Sequence, residues 1–146
     1  MDAESVSRLR RAVVKLSRAL NSPATAAGLT PTQASTLGLL ANRGPMSLAA
    51  LNDLEHLNPS MLSRVVTKLD SAGLIERHPD PADLRAVLVE ATPRGETVSQ
   101  TIRSQRTADV LSRLPALDAA QVRAITEALP ALEALAVALE GAGNGG

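Results

Sequence analysis

The sequence contains no phenylalanine, tyrosine or tryptophan among its 146 residues. Its core must therefore consist of leucine, valine, isoleucine and alanine, which favours packed helices. The lack of aromatic side chains also argues against the usual single-stranded nucleic-acid platforms, which stack bases on aromatic rings. Apolar residues still make up 45% of the chain, so it has enough material for the core of one folded domain.

Cysteine is also absent, which excludes disulfides, thiolate metal sites and thiol redox sensing. The two histidines, His56 and His78, have no partners at the spacing of metal ligands, so no metal and no cofactor are expected. No apolar run is long enough to span a bilayer, and the first residues lack a signal-peptide pattern. These absences predict a cytoplasmic protein without a membrane partner.

The chain has no net charge, because 15 basic and 15 acidic residues cancel. A strongly basic balance, which supports binding to DNA, is therefore missing. Any affinity for DNA must come from a few well-placed cations and from their duplication in a dimer.

Residues 58–73 carry the clearest pattern. Asn58 is a good N-cap, Pro59 suits the first helical position, and Gly73 suits the position after the last turn. One side of this helix, called the reading helix below, is an apolar stripe of Leu62, Val65, Val66 and Leu69. The opposite side carries Ser60, Ser63, Arg64, Thr67 and Lys68. Such a face suits a DNA major groove, where Arg reads guanine edges and hydroxyls bond bases or phosphates.

A β-hairpin is predicted after the reading helix. Residues 74–77 lead in, residues 86–90 lead out with β-branched side chains, and residues 78–85 form a loop rich in proline and aspartate. Near the loop tip, Arg85 could enter a minor groove, and Asp83 could hold that side chain in place. A helix followed by a basic-tipped hairpin is typical of a winged helix-turn-helix.

Helices are also predicted on both sides of this unit. A first helix covers residues 3–20, and residues 21–28 are expected to form a loop. Thr30 with Gln33 forms a capping box for a helix that ends near residue 43, and Ser47 caps a short helix to residue 55. This short helix and the reading helix, joined by a tight turn at His56-Leu57, make the helix-turn-helix unit.

After the hairpin, Thr92 caps a long polar helix that Pro115 stops. Asp118 with Gln121 opens a last helix to residue 139, which Pro130 is expected to kink or restart. The apolar stripes of the first and last helices have no partner in between, which predicts a two-fold dimer of interleaved termini. The expected dimer contacts are Leu9, Val13, Leu16, Leu132, Leu135 and Leu139.

Together these motifs resemble the MarR family of bacterial transcriptional regulators. The resemblance rests on Pro59-Ser60 and Ser63-Arg64, the exit Gly73-Leu74-Ile75 with Arg77, the wing Asp83-Leu84-Arg85, and the restart Thr92-Pro93 with Gly95. It covers nearly the whole length. It implies one domain over residues 1–146: a winged lobe at 30–91, dimerisation helices at 1–20 and 93–140, and a flexible tail at 141–146.

The function predicted is a homodimeric regulator of double-stranded DNA, most simply a ligand-responsive repressor on a palindromic operator. The expected DNA contacts are Pro59, Ser60, Ser63, Arg64, Thr67, Lys68, Asp83 and Arg85. The resemblance implies a small aromatic or anionic effector, whose binding residues the sequence does not identify. The alternative is a winged helix that binds protein and not DNA. An enzyme is not predicted, because no serine has a paired base and no phosphate-binding loop occurs.

Overall fold

The computed structural model describes residues 1–142 and confirms the mainly helical fold with a small antiparallel wing. The elements in chain order are α1 (Ala3–Leu20), α2 (Ser22–Ala26), α3 (Pro31–Arg43), β1 (Met46–Ser47), α4 (Leu48–Glu55), α5 (Pro59–Ser71), β2 (Ile75–Pro79), β3 (Val87–Ala91), α6 (Pro93–Arg113), a 3₁₀ turn (Leu114–Ala116) and α7 (Ala119–Ala142). The chain forms two compact units, one from Met1 to Thr107 and one that begins at Ala108. The reading helix is α5.

The predicted helix starts are confirmed by their capping hydrogen bonds. Thr30 Oγ1 accepts from the Gln33 backbone N–H at 3.2 Å, and the Gln33 side chain accepts from Thr30 N–H at 3.0 Å. Ser47 accepts from the Ala50 N–H at 3.1 Å. Each cap satisfies backbone donors that the first helical turn leaves free. Local sequence therefore determines where α3 and α4 begin.

The wing belongs to a three-stranded sheet with the order β1-β3-β2. Strands β2 and β3 pair antiparallel with Arg77 opposite Val89, as the hairpin pattern predicts. The predicted loop at 78–85 was wrong at its start, because His78 and Pro79 still pair with Leu88 and Val87. Strand β1, which pairs Met46 with Val89, was not predicted. It has only two residues, so it shows no alternation of apolar and polar side chains from which a strand could be predicted.

The core of the first unit lies between α3, α4, the reading helix and the sheet. Its fully buried side chains are Leu37, Leu40, Leu51, Val66, Leu69, Ile75 and Val89. Removing each such side chain from water stabilises the fold by about 1.5–3 kcal/mol. The reading helix is thus fixed by its apolar side, and its opposite side remains exposed.

Residues 21–28 are not a simple loop, because they contain the short helix α2. Pro23 occupies an early helical position, where its missing N–H is tolerated, and it is buried together with Ala24. The prediction of a loop was therefore wrong here. The composition of this segment indicated a break, but burial against the neighbouring helices orders it.

The long helix α6 does not serve only as a connection. Gly95, Ser99 and Ile102 are buried in its first half, and Ile102 belongs to the core of the first unit. The predicted dimerisation segment 93–140 therefore begins with residues that pack inside their own chain.

The last helix, α7, is continuous through Pro130, so the predicted restart was wrong. Proline lacks an N–H, and one carbonyl of the preceding turn loses its helical donor there. The helix also includes Gly141 and Ala142, which the sequence placed in a tail. Residues 143–146 of that predicted tail lie outside the described residues.

Large apolar side chains remain exposed on α1 and α7. On α1 they include Val13 and Leu16, and on α7 they include Leu132, Leu135 and Leu139. Leu9 is partly buried. Five of the six residues predicted for a dimer interface are therefore exposed in the single chain. Separately, no helix within residues 1–142 combines the length and hydropathy that a membrane crossing needs.

Candidate nucleic-acid interface

The reading helix starts as its sequence predicts. Asn58 Oδ1 accepts from the Met61 backbone N–H at 2.8 Å, and Pro59 takes the first helical position. At the other end, Gly73 has a φ of 72°, which is the left-handed region that glycine adopts without strain. The helix therefore has defined ends, which fix which side chains face outward.

Every residue predicted to contact DNA from the reading helix is exposed. These residues are Pro59, Ser60, Ser63, Arg64, Thr67 and Lys68. The stripe on the other side, formed by Leu62, Val65, Val66 and Leu69, is buried. The helix thus presents two cations and three hydroxyls on a surface that its own packing leaves open, which is the chemistry that groove recognition uses.

The wing tip is organised by aspartate side chains. Asp83 Oδ1 accepts from the Arg85 backbone N–H at 3.1 Å and lies 3.5 Å from Arg85 Nε. Asp80 Oδ1 similarly accepts from the Ala82 N–H at 2.9 Å. Such bonds stabilise a turn. Asp83 therefore restrains the backbone of Arg85, while the Arg85 side chain is 94% exposed and extends into solvent.

Sequence reasoning missed an ion pair that joins the wing to the reading helix. Arg77 Nη2 on β2 donates to Thr67 Oγ1 at 3.1 Å, and Arg77 Nε lies 3.3 Å from Asp70 Oδ2. The outer side of the helix therefore also carries a carboxylate, which Arg77 partly neutralises. The only available signal was the position of Arg77 on an exposed strand next to the helix exit; its partners depend on tertiary packing.

The helix-turn-helix joint contains a partly buried carboxyl group. Glu55, the last residue of α4, accepts from the Ser35 hydroxyl at 3.1 Å and 3.3 Å, which links α4 to α3. Burial raises the pKa of Glu55 above its ordinary value, against a smaller opposing effect of the Ser35 hydrogen bond. The next residue, His56, turns the chain toward the reading helix with a φ of 52°.

The histidines do not form a metal site in the described part of the chain. His78 Nε2 lies 3.6 Å from Glu90 Oε1 on the neighbouring strand. Within residues 1–142, no group of three or more His, Asp or Glu side chains is arranged to hold a metal ion.

Comparison with known proteins agrees with this geometry. The model of the MarR family matches residues 29–87. The HTH-type transcriptional regulator MT0903.1 of Mycobacterium tuberculosis is 34% identical over 117 residues, which cover 80% of this chain and 82% of that protein.

Solved structures share the fold at lower identity. Wild type MarR from E. coli, in its apo form, superposes with a TM-score of 0.76 and 22% identity, over 90% of this chain and 96% of that one. A MepR mutant from S. aureus, bound to an oligodeoxyribonucleotide, superposes with a TM-score of 0.69 and 15% identity, over 89% of this chain and 96% of that one. With the relative from M. tuberculosis aligned over most of both chains, the protein belongs to the MarR family of HTH-type transcriptional regulators and is not an enzyme.

Proposed function

We propose that this protein is a homodimeric, ligand-responsive repressor that binds a palindromic operator in double-stranded DNA. The observation that carries the proposal is the exposed polar side of the reading helix beside a wing whose Arg85 is 94% exposed. The MepR structure, which contains an oligodeoxyribonucleotide, supports DNA as the partner of this fold. Repression follows most simply, because a protein that occupies a promoter excludes other proteins from it.

In the proposed complex each protomer places its reading helix in a major groove. Arg64 reads a base edge, while Ser60, Ser63 and Thr67 bond bases or phosphates. Lys68 neutralises a phosphate. The wing reaches the flanking minor groove with Arg85, which Asp83 holds at its backbone. Residues 58–95 carry five basic and five acidic side chains, so affinity must come from where the exposed cations Arg64, Lys68 and Arg85 lie and not from a net positive charge.

The exposed apolar residues of α1 and α7 support dimerisation. Leu132, Leu135 and Leu139 follow the i, i+3, i+7 spacing of one helix side and are 40%, 41% and 66% exposed. A second copy of the chain would bury this apolar side of α7 away from water, so no different protein is needed to cover it. Two reading helices related by a two-fold axis would meet half-sites about 10 bp apart, which makes the operator an imperfect palindrome.

A cavity in the first unit supports the effector proposal. It has a volume of about 500 Å³ and lies among α1, α3 and α6, lined by Val13, Leu16, Ser17, Leu20, Asn21, Pro31, Ser35 and Arg106. Its walls are mainly apolar, with one guanidinium for an anionic group. Arg106 already donates to the Leu20 carbonyl and to Asn21, but a guanidinium has further N–H donors.

The effector proposal predicts that a small apolar carboxylate weakens operator binding. A ligand shifts the equilibrium only by its differential affinity for the two states, so it must bind the DNA-incompetent state more tightly. Operator affinity should be measured against a panel of aromatic and aliphatic carboxylates. If no carboxylate changes the affinity of the unmodified protein, the chain does not respond to this class of ligand.

Selection of bound duplexes from a random DNA pool at near-physiological salt tests the operator. A palindrome with half-sites about 10 bp apart is the expected result. Binding to it should fall steeply with added salt, since each neutralised phosphate releases counterions. If a folded dimer enriches no sequence, the alternative of a winged helix that recognises another protein gains support.

Substitutions in the reading helix and at the wing tip test the proposed DNA contacts. Arg64→Ala should weaken operator binding by about 1–3 kcal/mol and relax base preference at one position. Arg85→Ala should also weaken operator binding, because it removes the contact to the flanking minor groove. Arg8→Ala, which removes an equal charge from exposed α1, is the matched control and should have little effect. If neither Arg64→Ala nor Arg85→Ala changes the measured affinity, the assignment of the DNA contacts is wrong.

A further inference from the structure

We propose that Thr92 and Arg94 are positioning residues for the reading helix, an inference that rests on the proposed DNA-binding function. They lie at the start of α6 and touch the opposite end of the reading helix from Asn58. Neither residue belongs to the DNA-contacting set proposed above. Their role is to fix the position of the C-terminal end of the reading helix within the first unit.

Three successive backbone carbonyls after the reading helix accept hydrogen bonds from these two residues. Arg94 Nη1 donates to the Ala72 carbonyl at 3.0 Å, and Thr92 Oγ1 donates to the Gly73 carbonyl at 2.7 Å. The Thr92 backbone N–H donates to the Leu74 carbonyl at 3.0 Å. The chain between residues 72 and 74 is therefore held at three points by a segment about twenty positions later.

This arrangement adds to the backbone bonds that already close the last turn, in which the Ala72, Gly73 and Leu74 N–H groups donate to carbonyls of residues 68–70. The last carbonyls of a helix have no partner within it, and the helix dipole gives this end a partial negative charge. A guanidinium suits both features: its positive charge opposes the partial negative charge, and its N–H groups donate charge-assisted hydrogen bonds to carbonyls. Arg94 is exposed, so its contribution to global stability is small, and its main effect is on the geometry of the helix end.

The contact between residues 72–74 and 92–95, called the joint below, is also tightly packed on the side of α6. Thr92 Oγ1 also accepts from the Gly95 N–H at 3.0 Å, which caps α6. The Gly95 backbone lies so close to the Leu74 carbonyl oxygen that a Cβ would stand 1.9 Å from it. A rotation of α6 at this point must therefore move the end of the reading helix.

The same helix also holds the ends of two other helices. Arg106 Nε donates to the Leu20 carbonyl at the end of α1 at 2.8 Å, and Arg103 donates to Asn42 near the end of α3. Groove recognition demands placement to about 0.5 Å, so the joint acts on operator selection without contacting DNA.

The experiment compares Arg94→Ala with Arg94→Lys and with Arg103→Ala. Arg103 is the matched control, because it is also an exposed arginine of α6 with one bond to another helix, but that helix is α3. Two quantities are measured for each dimer: hydrogen exchange of the Ala72, Gly73 and Leu74 amides, and binding to operator and non-operator DNA over a range of salt.

Arg94→Ala should speed exchange at these three amides and lower operator affinity roughly 5-fold, the scale of one lost hydrogen bond at a solvent-exposed position. Non-operator affinity and the salt slope should stay unchanged. Arg94→Lys should recover part of the loss, because its ammonium still donates to a carbonyl. Thr92→Val should reproduce the faster exchange, and Thr92→Ser should not.

A salt slope reduced by about 1 in Arg94→Ala would mean that Arg94 contacts a phosphate directly, which overturns the positioning role. An equal loss in Arg103→Ala would overturn it as well, since the effect would then be general. Unchanged exchange at residues 72–74 would show that the joint does not hold the helix end. If the unmodified protein prefers no DNA sequence, the proposed function fails, and the exchange data alone decide whether the joint exists.

Discussion

Gly95→Ala is expected to lower the free energy of unfolding by about 3–5 kcal/mol, the range of severe steric and strain effects. An added Cβ would lie 1.9 Å from the Leu74 carbonyl oxygen, 2.9 Å from its carbon and 3.2 Å from a Leu37 methyl group. The first two atoms are backbone, so relief requires α6 to move away from the end of the reading helix. Urea unfolding of the purified protein measures the change.

Gly38→Ala is the matched control for this substitution. Gly38 lies inside α3, where an added Cβ would meet only Ser99 Oγ at 3.7 Å, which is ordinary contact. Alanine is favoured over glycine within a helix by roughly 0.5–1 kcal/mol, so this change should stabilise the protein slightly. The two substitutions should thus have opposite signs. A cost below about 1 kcal/mol for Gly95→Ala would mean that α6 is not closely packed there.

Leu135→Glu is expected to convert the proposed dimer to a monomer and to lower affinity for the proposed operator by at least about 100-fold. Leu135 lies between Leu132 and Leu139 on the apolar side of α7 and is 41% exposed in the single chain. A two-fold interface would bury two copies of the new carboxylate, each without a partner, which costs several kcal/mol. A monomer loses the gain of binding two linked half-sites, which is typically about 10²–10⁴ in affinity.

Val137→Glu provides the control for the dimer prediction. Val137 lies two positions later on α7, off the i, i+3, i+7 side, and is 68% exposed. The same charge at this position should leave the molar mass in solution and the operator affinity close to those of the unmodified protein. Molar mass from light scattering and operator titration separate the outcomes. A dimeric Leu135→Glu with normal operator affinity would show that this side of α7 is not the interface.

Features that depend on neighbouring residues were predictable from the sequence. Asn58 before Pro59, and Thr30 before Gln33, determine helix starts through bonds that span three residues. The buried stripe of the reading helix follows from helical spacing alone, and so does the exposed side with Arg64 and Lys68. These local rules were enough to predict the winged helix-turn-helix and, through its motifs, the family.

Long-range features required the tertiary structure. The two-residue strand β1 exists only because β3 offers it a partner, and α2 is ordered by burial. The sequence also contains Arg77, Thr92 and Arg94, yet no spacing rule indicates that Arg77 meets Thr67 or that Arg94 meets the Ala72 carbonyl.

The sequence by itself thus determined where the helices other than α2 begin, which side the reading helix buries and which cations it exposes, because these follow from caps and from the helical period within a few residues. Only the tertiary structure decided how the reading helix is held, since its wing contact spans ten residues and its contacts to α6 span about twenty. Those contacts form when the core brings distant segments together, and no local pattern in the chain encodes their geometry.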